Sequence, residues 1–247
     1  MKTAKEVEAL RRSNRIVVRI LKELMEYARP GVSTMDLELR ARKSLGKVPN
    51  AKPAFLGYRG YPAVLCASIN EEVVHGIPSE KRVLKEGDIL SLDFGVELDG
   101  YFGDAAVSVP IGTVSEEKAR LLATTRECLE RAVAAVVPGN HLSDIARAVQ
   151  EHAEKNGFSV VYQFVGHGIG RKMHEEPQIP NCGMPRPNVK LVPGMVLAIE
   201  PMINAGRPDV EVLEDGWTAV TADRGPSAHF ERSVAVTPGE ADVLSAW

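Results

Sequence analysis

Residues 89–109 read Ile89-Leu-Ser-Leu-Asp93-Phe-Gly95-Val-Glu-Leu-Asp99-Gly100-Tyr-Phe-Gly-Asp104-Ala-Ala-Val-Ser-Val109, two β-rich runs joined by Asp99-Gly100. Asp-Gly between apolar runs predicts a hairpin, because both turn positions need φ > 0. A two-residue turn pairs Leu98 with Tyr101 and sets Gly95 opposite Asp104. Asp93 then lies diagonal to Asp104 on one sheet face, about 7–8 Å away between Cα atoms. Two aspartates so placed repel each other unless something positive lies between them.

The run leading into Asp93 recurs later in the chain. Leu84-Lys-Glu-Gly87-Asp-Ile-Leu90-Ser-Leu-Asp93 matches Leu191-Val-Pro-Gly194-Met-Val-Leu197-Ala-Ile-Glu200 in the pattern L-x-x-G-x-[IV]-L-x-[LI]-[DE]. In each copy a glycine turn leads into an apolar strand that ends in a carboxylate, so the two strands can present Asp93 and Glu200 to a common centre. Outward from this pair the plan also repeats. Helical spacing of Val7, Leu10, Ile16, Ile20, Leu21 and Leu24 predicts a helix over 5–28, stopped by Pro30-Gly31. Ser33 or Thr34 caps a second helix through MDLELRARKSL. An irregular stretch follows to about residue 62, then a strand in AVLCASI and a loop from Asn70 to Pro78. Two more helices are expected over about 115–136 and 143–155, and then further strands with turns at Asp215-Gly216 and Arg224-Gly225. The expectation is an α+β fold in one domain, 1–247, built of two pseudo-symmetric halves, about 1–110 and 111–247.

The chain has 44% hydrophobic and 26% charged residues, enough for a sizeable core. A net charge of −3 and a pI near 6.1 argue against nucleic acid or an anionic membrane as the main partner. No stretch is long and apolar enough to cross a membrane, and the charged N-terminus is not a signal peptide. Cys66, Cys128 and Cys182 have no clustered metal spacing and fit reduced thiols in a cytoplasmic protein.

Glu200 in MVLAIEP and Glu231 in HFERSVAV each interrupt an apolar strand, where an unpaired carboxylate is costly. A salt bridge, for Glu231 with Arg232 or a distant lysine, is the bland account. Four such acids with one histidine describe a hard, oxygen-rich dinuclear site better than a structural zinc. His167 lies between Gly166 and Gly168, and its surroundings lack the spacing of a dinucleotide loop. His75 and His174 lie in other turn-prone segments. His141 and His152 read as surface residues, and His229 is left without a role.

The strings SINEEVVHGIP, LSLDFGVELDGYFGDAA, GHGIGRKMHEEP, VLAIEPMI and HFERSVAV resemble methionine aminopeptidases of the short bacterial type, type I of the M24 metallopeptidases, over nearly the whole chain. The resemblance implies the duplicated pita-bread fold, a central antiparallel sheet covered by helices. It implies two divalent ions, Mn, Fe, Co or Zn, held by Asp93, Asp104, His167, Glu200 and Glu231, with Asp93 chelating and Asp104 and Glu231 bridging. Hydrolysis of the first peptide bond by metal-activated water would follow, with Glu200 shuttling the proton, His174 at the scissile carbonyl and His75 at the peptide nitrogen. The free amine of the substrate would lie against one metal. Tyr58, Tyr61, Cys66 and Trp217 match positions that line the methionine pocket of that family. Phe55 stands where a smaller residue is common, and Met173 where an aromatic is common.

The implied substrates are nascent polypeptide N-termini, met at the ribosome exit, and a monomer is expected. The alternatives are a proline-specific peptidase of the same fold, a binding protein that has lost catalysis, and a ribosome-associated structural factor. Proline peptidases usually carry an additional N-terminal domain. A binding protein would be expected to have lost ligands, and a ribosomal factor would want a more basic face.

Overall fold

The computed structural model describes residues 1–246. The chain begins with α1 (Ala4–Tyr27), capped by Thr3, whose hydroxyl accepts from the Glu6 N–H while the Glu6 carboxylate reaches back to the Thr3 N–H. Leu10, Val17, Ile20, Leu21 and Leu24 recur on one face and are fully buried. That face packs on the long hairpin described below. Each such side chain contributes about 1.5–3 kcal/mol relative to an exposed position. The second helix, α2 (Thr34–Leu45), repeats the same capping device with Ser33 and Asp36.

β1 (Ala51–Pro53), β2 (Leu65–Ile69) and β3 (Glu72–Val74) precede the hairpin of β4 (Asp88–Leu98) and β5 (Tyr101–Ile111). Asp99 and Gly100 make its turn at φ +51° and +81°. The register is the expected one, Leu98 opposite Tyr101 and Gly95 opposite Asp104. The segment 70–78, expected as loop, carries β3. Three residues are too few to show a period, and the strand exists because it pairs with a distant partner.

Helices α3 (Glu116–Ala134) and α4 (Leu142–Lys155) pack on each other, and short strands follow. These are β6 (Ser159–Val160), β7 (Gly166–Gly168), β8 (Glu175–Ile179), β9 (Val196–Ile199) and β10 (Met202–Asn204). The last are β11 (Val210–Val212), β12 (Ala219–Thr221), β13 (Ser227–His229), β14 (Arg232–Ala235) and β15 (Asp242–Val243). Every pairing among the described residues is antiparallel, and the strands fall into four hydrogen-bonded sets. One set centres on β4, and another runs β15-β14-β9-β7-β8. A shared apolar core joins all four helices to these two sets.

Candidate metal centre

Two sheets meet at the carboxylates. Asp93 lies in the middle of β4, opposite Cys66 on one neighbouring strand and Ala106 on the other. Asp104 lies two residues before Ala106, so both aspartates stand on one face of the hairpin, as the diagonal register requires. The second sheet is stitched to this edge. Glu231 donates its N–H to the Ala106 carbonyl at 2.9 Å, and the Ser233 hydroxyl donates to the Asp104 carbonyl at 2.9 Å. The Asp104 N–H is held by Asn14 of α1 at 3.3 Å.

β9 lies between β7 and β14, with Ala198 opposite His167 and Ser233, and Ile199 opposite Arg232. The next residue, Glu200, therefore comes beside Glu231. Gly166 and Gly168 allow this packing: a Cβ on either would come within 2.3 Å of a carbonyl oxygen, of Ala198 and Glu176 respectively. The glycines around His167 thus serve strand packing. One potential ligand atom from each of Asp104, His167 and Glu231 lies within 4.8 Å of the others, and all three residues are buried. His167 Nε2 is 3.8 Å from Asp104 Oδ2 and 3.7 Å from Glu200 Oε1.

His229, left without a role by the sequence, belongs here. It is 1% exposed, and its Nε2 is 3.7 Å from Glu200 Oε2 with no hydrogen-bond partner. Its backbone N–H and C=O both bond the Ser108 hydroxyl at 2.8 Å. The available signal was its place two residues before Glu231, the interval at which extended residues share a face.

The electrostatics are those of an uncompensated acidic site. Asp93 Oδ1, Asp104 Oδ1 and Glu231 Oε1 are buried with no hydrogen-bond partner. Burial pushes Asp93 up to about 7. Burial and then neighbouring carboxylates push Asp104, Glu200 and Glu231 well above the usual range. The imidazoles supply no positive charge, because burial lowers His167 to about 4 and His229 to about 3. His167 Nδ1 lies 3.0 Å from the Gly168 carbonyl, which can only accept, so Nε2 is the bare nitrogen and faces the carboxylates. Orphaned hard oxygens, together with one imidazole nitrogen fixed as an acceptor, are the donor set a divalent cation requires. The residues fit metal ions.

Beside the carboxylates lies an apolar cluster. Tyr61, Ala63 and Cys66 are buried in it, with Phe55, Ile77 and Trp217 packed against them. Tyr61 is core-like: it is 3% exposed, its ring meets Trp217 edge-on at 5.1 Å, and its hydroxyl is 3.1 Å from the Leu65 and Gly76 carbonyls. Cys66, opposite Asp93, ties the cluster to the carboxylates, and burial raises its thiol pKa. His75 overlooks the same space at φ +62°, a conformation costly for a non-glycine residue, with Phe164 and Trp217 edge-on at 5.4 and 6.2 Å. Burial lowers its pKa to about 4. His174 comes to the centre on the other side, its ring 4.1 Å from His167. The turn before it is pinned by Glu175, which accepts from the Arg171 and Lys172 N–H groups and from Lys2 Nζ at 2.7 Å. Tyr58 and Met173 lie outside the apolar cluster; with His174 they line an adjacent cleft of about 430 Å³. His141 caps α4, and His152 meets Glu127 at 2.7 Å.

The model of metallopeptidase family M24 matches residues 8–238. The chain belongs to this family. It is 47% identical to the methionine aminopeptidase of Clostridium acetobutylicum over 245 residues, which cover 99% of this chain and 98% of that protein. Its structure superposes on that of methionine aminopeptidase from Thermotoga maritima with a TM-score of 0.96 at 44% identity, covering 100% and 98% of the two chains. Against prolidase from Pyrococcus furiosus the TM-score is 0.80 at 21% identity, and the match covers 65% of that longer chain, a likeness of fold alone. The M24 chain described here thus has the pita-bread architecture common to both.

Proposed function

We propose that this chain removes the N-terminal methionine of nascent polypeptides by metal-dependent hydrolysis of the first peptide bond. The carrying observation is the adjacency of the acidic centre and the apolar cluster across a single strand pair, Asp93 opposite Cys66. An unbranched apolar side chain laid against that cluster would bring its peptide bond beside the carboxylates. Asp93, Asp104, His167, Glu200 and Glu231 hold the metals, and oxygen and imidazole donors of this kind accept Mn, Fe, Co or Zn. When bound, two such ions bring the pKa of water down towards neutrality and polarise a carbonyl.

The chain's own groups do the rest. Glu200, at the strand end with Oε1 and Oε2 turned towards two neutral imidazoles, takes the proton of the attacking water and returns it to the departing nitrogen. His174 donates to the carbonyl oxygen as charge develops on it. His75, with Trp217 beside it, contacts the peptide nitrogen. Tyr61, Cys66, Phe55 and Trp217 take the methionine side chain and exclude water from it; Tyr58 reaches the pocket from the His174 side. On this reading the protein acts as a cytoplasmic monomer on chains leaving the ribosome, with no nucleic-acid or membrane partner. No described helix is long and apolar enough to cross a membrane.

The test is amino-acid release from Met-Ala-Ser and Ala-Pro-type peptides after chelation, with and without Mn²⁺ or Co²⁺. Metal-dependent release of methionine alone supports the proposal. Cleavage confined to bonds before proline moves the chain to the prolidase branch, and no cleavage with any metal leaves a binding protein. His174→Ala is expected to lower kcat by about 10²–10³ while metal affinity changes little.

A further inference from the structure

Neighbouring imidazoles at this centre carry opposite demands. His167 and His174 lie 4.1 Å apart between ring centroids. A metal ligand needs a bare Nε2, which the Gly168 carbonyl secures by accepting a hydrogen bond from Nδ1–H and so holding the proton on Nδ1. A donor to a carbonyl oxygen needs the reverse, a proton on Nε2. A neutral imidazole has one proton to place, and the hydrogen bond at the other nitrogen decides where it goes.

At His174 that partner is Tyr58. Its hydroxyl lies 2.9 Å from His174 Nδ1, and the two rings stack with centroids 5.2 Å apart and planes 26° apart. The described residues offer the Tyr58 hydroxyl no other hydrogen bond and offer His174 Nε2 none at all. A phenol O–H is a more acidic donor than a neutral imidazole N–H, and a bare imidazole nitrogen is a more basic acceptor than a phenol oxygen. The bond therefore runs from the Tyr58 O–H to Nδ1. Tyr58 is itself set in place by a short 3₁₀ turn, Tyr58–Gly60, and by the Arg59 guanidinium 5.5 Å from its ring.

We propose that Tyr58 is a positioning residue, whose hydroxyl donates to His174 Nδ1 and so fixes the proton on Nε2, where it serves the scissile carbonyl. This deepens the aminopeptidase reading and rests on it for the carbonyl; the tautomer itself does not. Tyr58 then differs from Tyr61, whose hydroxyl is spent on backbone carbonyls inside the apolar cluster.

The experiment has a spectroscopic arm and a kinetic arm. In ¹⁵N-labelled metal-free protein, two-bond ¹⁵N–¹H spectra are expected to show His174 as the Nε2–H tautomer and His167 as Nδ1–H. In Tyr58→Phe the His174 signals should move towards a mixture while those of His167 stay. A wild-type His174 protonated at Nδ1 overturns the proposal. In metal-loaded enzyme, Tyr58→Phe is expected to lower kcat about tenfold with KM within about twofold, and to cost nothing further in a His174→Ala background. A raised KM with unchanged kcat, or full additivity with His174→Ala, returns Tyr58 to pocket lining and overturns the proposal. The two readings fail separately: a His174→Ala enzyme with full activity removes His174 from the chemistry, whereas the spectra test Tyr58 whatever the reaction is.

Discussion

Leu84–Asp93 and Leu191–Glu200 share more than a pattern of letters. Gly87 and Gly194 both take positive φ, +86° and +92°. Their N–H groups donate to Ile111 and Val236, at or just past the ends of β5 and β14, at 2.8 and 2.9 Å. The following N–H closes the same turn in each copy, Asp88 to Lys85 and Met195 to Val192, both at 3.2 Å. Upstream, the helix caps Ser33 and His141 each form an isolated bridge, to Val83 and Lys190. Past this point the copies diverge. β4 runs through Asp93 to Leu98, so Asp93 is clamped between two strands. β9 stops at Ile199, and Pro201, with no N–H to give a ladder, makes Glu200 a strand-end residue held by Asn181 at its carbonyl. One delivery device thus produces a rigid carboxylate suited to chelation and a terminal one with room to move a proton.

The largest expected effect tests what both copies serve. Asp104→Asn should cut kcat/KM on the order of a thousandfold, the scale of losing a metal's charge stabilisation, while the protein still folds. Circular dichroism and metal titration check the second part. A fully active Asp104→Asn protein breaks the assignment of Asp104 as a bridge.

The two copies should then separate. Asp93→Asn is expected to weaken metal affinity first and to recover part of its activity at high metal. Glu200→Gln should lose about 10²–10⁴ in kcat even at saturating metal, because on the proposed mechanism its carboxylate also carries the proton. Calorimetric metal binding beside kcat at several metal concentrations sharpens the contrast, and identical behaviour of the two variants abolishes it.

Removing metal turns the shared centre into a pH-sensitive liability. Asp93, at about 7 in the fold against an ordinary 3.8, keeps its proton longer than the unfolded chain does, so its contribution is lost as pH rises towards 7. His75 and His167 near 4 and His229 near 3, against 6.5, work in the opposite sense, and their contribution is complete above about 6.5. Above about 6.5 only the Asp93 trend remains of these two, and the raised Asp104, Glu200 and Glu231 act in the same sense as Asp93. Chelated protein should therefore lose stability as pH rises from about 6.5 through about 7, by up to about 1.4 kcal/mol per pH unit for each proton released. That corresponds to about 2–4 °C of Tm per kcal/mol in a chain of this size. Protein loaded with Mn²⁺ should stay nearly flat, and a flat chelated curve removes the repulsion argued for the empty centre.

Most of this comparison was legible before the fold. Asp99-Gly100 set the hairpin register because only a few residue types accept its two positive φ values, and the acids announced themselves by interrupting apolar strands. His229 escaped because a histidine beside a phenylalanine in a strand has no signature until Glu200 is folded against it. Strand β3 escaped because its pairing partner β12 lies far along the chain. Tyr58 could be read as a pocket aromatic but not as the partner of His174, 116 positions away. What the sequence withheld was in each case a tertiary contact rather than a local preference.

The smallest effect distinguishes the two glycine turns themselves. Both leave the L-residue region, so alanine at either should cost about 1–2 kcal/mol from backbone strain. At Gly87 an added Cβ would meet only the Thr113 carbonyl at 3.6 Å, an ordinary contact. At Gly194 it would come 3.0 Å from the Lys2 carbonyl, and the Lys2 N–H already binds the Gly194 carbonyl at 2.7 Å. The N-terminus must then give way, and Lys2 is the residue whose ammonium holds Glu175, next to His174. Gly194→Ala should therefore destabilise more than Gly87→Ala and should also lower kcat severalfold, while Gly87→Ala leaves kcat unchanged. Denaturant midpoints and kcat for the two variants decide it. Equal losses in both quantities would show that the first residues of the chain are not coupled to the His174 turn.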